Sequence, residues 1–304
     1  MDDEAPEPWD VPLARRHRLV VEKSLIERPF RPSSPTQVPP RSLATLEQAC
    51  GPIGLDRLLV VPSCVRPIGG GDYAIAPGRV LAFGDEVVAC WIDSTDGLVL
   101  SVPIRDLAAF DDRTVLLYGR LRLVGMTSTL VVRYNTVARD DLQQNLGRLR
   151  TQMAVRSYPV EPRVVCIDAR RSRPGFEDLP YRWRFLFEST ALRPNPEEAV
   201  ALAAGDLSPI DGGKERRPGG IAILGPRELV IATEPSDWSG PDRYGVDLLA
   251  VPRERLESLG WDGRDLTVRI AGIAAGRPNE IVMPLEPLLV DAIKEAFAGA
   301  VAWH

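Results

Sequence analysis

Two stretches of the chain, LSVPIRDLAAF at Leu100–Phe110 and LAVPRERLESL at Leu249–Leu259, repeat one phrase 149 residues apart. An internal repeat constrains the fold more than composition does, because a duplicated unit must bury its core twice in the same way. The phrase carries its own geometry. Leu100 and Val102 alternate, as do Leu249 and Val251, so each pair faces one side of a strand. Pro103 and Pro252 have no N–H to give a ladder and mark the place where each strand leaves its neighbour and turns a corner. The apolar pattern resumes at Leu107 and Phe110, and at Leu256 and Leu259, with Arg105-Asp106 and Glu254-Arg255 left to water.

The correspondence extends upstream. Phe83-Gly84 followed by Glu86–Ala89 matches Leu224-Gly225 followed by Glu228–Ala232, at a spacing of 141. The spacing grows to 149 because the second copy carries the turn EPSDWSGPDRYG where the first has STDG, and turns tolerate insertion. From Gly78 onward RVLAFG, EVVACWID, GLVLSVPI, LAAF, TVLLYGRLRLV and TLVVRYN are short apolar runs, broken by GD, STDG, DDR and glycine turns. Such spacing predicts a meandering antiparallel sheet or barrel, with Asp111-Asp112 as solvated turn charges. The period then changes: Val137, Leu142, Leu146, Leu149 and Met153 lie on one side of an amphipathic helix over about 138–154. The second half repeats the order, with strands from GGIAIL to NEIVMPL and a helix over about 285–302 whose face is Leu288, Ala292, Ile293, Ala296 and Phe297.

A length of 304 residues suits about two domains. The expected division is a proline-rich tail over 1–41, a first unit over 42–157 and a second over 158–304. Ser42 reads as a helix N-cap, with Gly51 just past that helix's end. A net charge of −5 argues against a surface that hugs nucleic acid or anionic lipid all over. No apolar run approaches the roughly 20 residues of a membrane span. The acidic start MDDEAPEPWD reverses the order of a signal peptide, so a cytoplasmic location without a transmembrane segment is expected. Cys50, Cys64, Cys90 and Cys166 form no CxxC and are expected to be buried thiols, outside any disulfide framework.

Taken together, VLAFGDEVVACWIDSTDGLVLSVPIRDLAAFDDRTVLLYG with its helix, and ILGPRELVIATE with VDLLAVPRERLESLGWDGRDLTVRI and its helix, resemble the bacterial pleckstrin-homology-like (PH-like) domain. The resemblance covers about half the chain and is one of fold. It implies a mainly β protein of two split-barrel or sandwich units of seven strands, each closed by a C-terminal amphipathic helix. The remaining strands would come from 53–77 and 160–190. It also implies binding or scaffolding and brings no catalytic residues. Lipid-binding members hold an inositol phosphate with basic residues near the first hairpin. Here IGGGDYAIAPGR offers only Arg79, beside Asp72, and GPRE sets Arg227 against Glu228, which argues against phosphoinositide recognition.

Catalytic patterns are sparse. His17 and His304 lie near the two ends of the sequence, no Cys/His spacing suits zinc, and neither a P-loop nor a GxSxG is present. Neither a cofactor nor a metal site is expected. The favoured function is a non-catalytic adaptor or scaffold that binds another protein or itself, with Trp238, Arg243 and Tyr244 in the long turn as anchors. The alternative is nucleic-acid binding by the Arg/aromatic stretch 169–187, through Arg170, Arg171, Arg173, Arg182 and Arg184. A third reading is an enzyme with its site at the junction of the two units.

Overall fold

The computed structural model describes residues 28–69, 72–93, 97–115, 118–136, 140–156, 201–205, 208–209, 216–217, 220–225, 227–233, 245–263, 265–285, 287–299 and 301–303. The protein is mainly β, its strands form open sheets, and among the described residues none of these sheets closes into a barrel. No described helix is long and apolar enough to cross a membrane.

The first half begins with helix α1 (Pro40–Cys50). Strands β1 (Leu58–Val61), β4 (Arg79–Phe83), β5 (Val87–Ile92) and β6 (Val99–Pro103) then form an antiparallel sheet in that spatial order. A side hairpin of β2 (Cys64–Gly69) and β3 (Asp72–Ala76) interrupts them. After Pro103 the chain makes a single 3-10 turn, Ile104–Asp106, and enters β7 (Leu107–Val115), β8 (Tyr118–Gly125) and β9 (Thr129–Asn135). Helix α2 (Asp140–Arg156) follows.

The second half repeats this plan. Strands β10 (Ala201–Gly205), β13 (Gly220–Leu224), β14 (Glu228–Thr233) and β15 (Gly245–Pro252) take the places of β1, β4, β5 and β6. The pair β11 (Ser208–Pro209) and β12 (Arg216–Arg217) stands where β2 and β3 stand. The turn Arg253–Arg255 leads to β16 (Leu256–Trp261), β17 (Asp265–Ile270) and β18 (Glu280–Pro284), then helix α3 (Pro287–Ala296) and the short β19 (Ala302–Trp303).

Hydrogen bonds recur in matched places. Gly84 N–H donates to Val87 O and Gly225 N–H to Glu228 O. Ile104 N–H donates to Glu86 O across the first corner, and Arg253 N–H to Arg227 O across the second. Each corner strand also carries the same bulge, between Leu107 and Ala109 and between Leu256 and Ser258. Pro103 and Pro252 hold nearly the same backbone angles, φ −59° and −55°, ψ 134° and 136°. The repeated phrase is therefore a repeated corner.

Two sequence expectations need correction. Helix α1 starts at Pro40, whose missing N–H suits a first helical position; Ser42 lies inside the helix and donates its hydroxyl to Pro39 O at 2.7 Å. Asp111-Asp112-Arg113 is no turn but the middle of the nine-residue β7. The strand beside β13 is Ala201–Gly205; residues 160–190, from which further strands of the second unit are expected, lie outside the described residues.

The two halves join through their sheets. β15 pairs antiparallel with β7, from Gly245 opposite Val115 to Ala250 opposite Phe110, making one seven-stranded sheet in the order β10-β13-β14-β15-β7-β8-β9. The sheet of the second half is buried on both faces. Ile221, Ile223, Val230, Ala232, Leu248 and Ala250 meet the first core, which holds Leu142, Leu146, Leu149 and Met153 of α2. Ala222, Leu224, Leu229, Ile231, Leu249 and Val251 meet the second core, with Ile293 and Phe297 of α3. This explains why GGIAIL and ELVIATE are continuous apolar runs without strand alternation. The outer face of β1-β4-β5 is covered in the same way by Val38 and Leu46 on and beside α1, against Leu58, Val80 and Trp91.

Candidate functional site

The residues with the most chemistry lie on the seam where β15 meets β7. Residues directly opposite in an antiparallel pair share a face, so the register sorts the charges. Asp112, opposite Leu248, faces the first core and accepts a hydrogen bond from the Tyr134 hydroxyl at 2.6 Å. Asp111 and Arg113 face the other way, with Asp247 opposite Arg113 and Arg122 opposite Asp111. Arg122 Nε donates to Asp111 Oδ2 at 2.6 Å, and Arg120 lies 3.6 Å from the same oxygen. Arg113 Nε lies 3.4 Å from Asp247 Oδ1, an ion pair without a hydrogen bond at that oxygen. Thr114 Oγ1 completes the seam, donating to Val246 O at 2.9 Å and accepting from Val246 N–H at 3.1 Å.

Burial pushes the Asp247 carboxyl up to about 6; Arg113 pulls against the shift and Asp111 adds to it. A carboxyl whose folded pKa exceeds its unfolded one binds its proton more tightly in the native state. Its contribution to stability is full below about pH 4, is lost as pH rises through about 6, and is absent above that. The span is about 3 kcal/mol at 1.36 kcal/mol per pKa unit. Asp247→Asn is expected to remove that slope, so denaturant melts at pH 4 and pH 7 should show wild type losing about 3 kcal/mol more than the variant. Equal slopes would mean that water reaches the carboxylate.

A second polar pair bridges the halves. Arg150 Nε on α2 sits 3.1 Å from Glu228 Oε1 at the start of β14, both largely buried. Burial raises the Glu228 carboxyl against the pull of Arg150 and lowers the Arg150 guanidinium against the pull of Glu228. The pair lines a recess with Met153, Ala250, Val251 and Pro252 of about 10 Å3, room for about one water molecule.

Both clusters join strands and helices of the two repeats, and their carboxylates are engaged by guanidinium or phenol groups. That arrangement suits fastening more than proton transfer. The Cys90 thiol is pushed up to about 11 by burial, against Arg79, and the half-buried Cys50 is also raised by burial. Both are free thiols held protonated at neutral pH, the state in which cysteine is a poor nucleophile. Among the described residues no group of three or more His, Cys, Asp or Glu is placed to hold a metal ion.

The anchors expected from sequence, Trp238, Arg243 and Tyr244, lie outside the described residues, although the flanking strand ends Thr233 and Gly245 are described. Arg170, Arg171, Arg173, Arg182 and Arg184 also lie outside them, as do His17, Cys166 and His304. Sequence reasoning missed the seam. The signal was the alternation of Arg120 and Arg122 with Leu121 and Leu123, a strand with one charged face that calls for acidic partners across the ladder.

One exposed feature of the described residues is apolar. Leu98 and Leu100, two residues apart beside and on β6, are 51% and 36% exposed, while Cys90 opposite Leu100 is fully buried. Among the described residues β6 pairs only with β5, and no described strand lies on its other edge. No protein-family model matches the chain, and no curated protein matches it.

Proposed function

We propose that the chain is a non-catalytic protein-binding adaptor of two PH-like units, each made of a four-stranded sheet, a proline corner, a three-stranded sheet and a helix. The observation that carries this reading is the edge of β6 that no described strand pairs, with Leu98 and Leu100 exposed beside it. Exposed strand edges recruit partners by strand addition, with the backbone supplying affinity and alternate side chains supplying choice. The chain already uses that mode internally, where β15 joins β7. The recess that Arg150, Met153 and Glu228 line, with room for about one water molecule, is too small for most substrates.

The test is capture from native cell extract, after nuclease treatment, at low and moderate salt. A protein partner held by strand pairing and apolar contact should persist at moderate salt. Leu98→Glu with Leu100→Glu should abolish capture, and Trp238→Ala with Tyr244→Ala should weaken it, both with melting temperatures near wild type. Retention only of nucleic acid, fading steeply with salt, would replace the adaptor by the Arg-rich alternative.

A further inference from the structure

The internal repeat leaves two strand edges unequal to their counterparts. In the first half, the outer edge of β7 accepts β15 over six residue pairs. β15 is the fourth strand of the second repeat, and its counterpart in the first repeat is β6. The counterpart of the acceptor β7 is β16. One donor edge and one acceptor edge of the duplicated unit are thus already joined, and one of each is left over.

The leftover donor looks like an undocked version of the docked one. Leu98 and Leu100 correspond to Asp247 and Leu249, which are 9% and 0% exposed where β7 covers them. Ile92 N–H donates to Leu98 O and Ile104 N–H to Glu86 O. The alternation of an antiparallel ladder therefore turns the backbone groups of Val99 and Ser101 outward, toward an incoming strand. Ser101 is also exposed.

The leftover acceptor is only lightly covered. Ala302 and Trp303 of β19 lie parallel to Ser258 and Leu259 of β16, two residue pairs against the six on β7. Trp303 Nε1 is buried without a hydrogen-bond partner, and the Lys294 ammonium lies 5.8 Å from the ring centroid. An unsatisfied buried donor makes this cover easier to displace.

We propose that the chain associates head to tail with itself: β6 of one copy adds antiparallel to β16 of the next and displaces Ala302–Trp303. The register carried over from β15 on β7 sets Ser101 opposite Leu259, Leu100 opposite Gly260 and Val99 opposite Trp261. Gly260 has no side chain of its own to meet Leu100. A donor and an acceptor on different surfaces form a heterologous contact, which builds rings or filaments rather than two-fold dimers. This inference rests on the adaptor reading and names a second copy as the partner.

The experiment is sedimentation of the purified full-length chain alone over a concentration series, so that extract proteins play no part. Wild type should grow with concentration from one chain of 33.4 kDa to multiples of it. Trp303→Ala, which weakens the cover, should bring assembly in at about tenfold lower concentration, a gain of about 1.4 kcal/mol. Leu98→Glu with Leu100→Glu should remain monomeric, and so should Ser101→Pro, which removes one outward N–H without adding charge. Wild type and Trp303→Ala both monomeric throughout would overturn the proposal, as would assembly unaltered in folded Ser101→Pro. In either case extract capture that persists leaves the adaptor reading standing, whereas self-assembly without captured partners supports the inference by itself.

Discussion

Glu228→Ala is expected to lower the unfolding free energy by about 3–5 kcal/mol, because it removes the carboxylate that faces the largely buried Arg150 charge. The two groups meet at 3.1 Å on elements from different repeats. Taking both out of water is costly, and their attraction offsets that cost only while both are present. Arg150→Ala should therefore cost a comparable amount. Replacing the pair together, Arg150→Met with Glu228→Leu, should recover most of the loss, since apolar groups of similar volume often match or exceed a buried ion pair. Denaturant melts of the two single variants and the double complete the cycle. Single losses below about 0.5 kcal/mol would place the pair in the class of screened surface bridges.

The contrast between the repeated corner and the polar seam shows what a sequence exposes and what it hides. Val102, Pro103 and Leu107 report their places through local rules, because alternation and a missing N–H act on the residues that carry them. Asp111 and Asp112 obey no such rule. Their burial in β7 depends on Arg122 across one neighbour and Tyr134 two strands away, so local propensity points to a turn. Gly119, opposite Tyr134, makes the same point, since a methyl group there would overlap the tyrosine ring that reaches Asp112. The pairing of β15 with β7 joins residues about 135 apart and leaves no periodic trace in either strand. It is visible only indirectly, in the two-sided apolar runs of β13 and β14, which need a second layer to cover them. The exposure of Leu98 and Leu100 beside β6 was likewise hidden, because an exposed leucine in an alternating strand looks the same in sequence as a buried one.

Leu146→Ala is expected to cost about 2–5 kcal/mol, the range for deleting a leucine from a core that cannot close over the gap. Leu146 is completely buried, between Leu142, Leu149 and Met153 of its own helix and the strands of the first core. That core also holds Ile221, Ile223, Val230 and Leu248, which belong to the second repeat. A helix that closed only its own unit would, when loosened, release the first half and leave the second standing, giving two transitions in denaturant. Here the same helix covers the outer face of the second sheet, so the loss should fall on both halves at once. Fluorescence from Trp91, buried in the first half, and from Trp261, packed on the second core, should therefore report one shared midpoint, shifted together in the variant. Comparing single-tryptophan versions of the chain separates the two signals. Midpoints that part, with only the Trp91 signal shifted, would show that the seven-stranded sheet does not couple the repeats. A loss below about 0.5 kcal/mol would place α2 on the surface, against the burial of its whole apolar stripe.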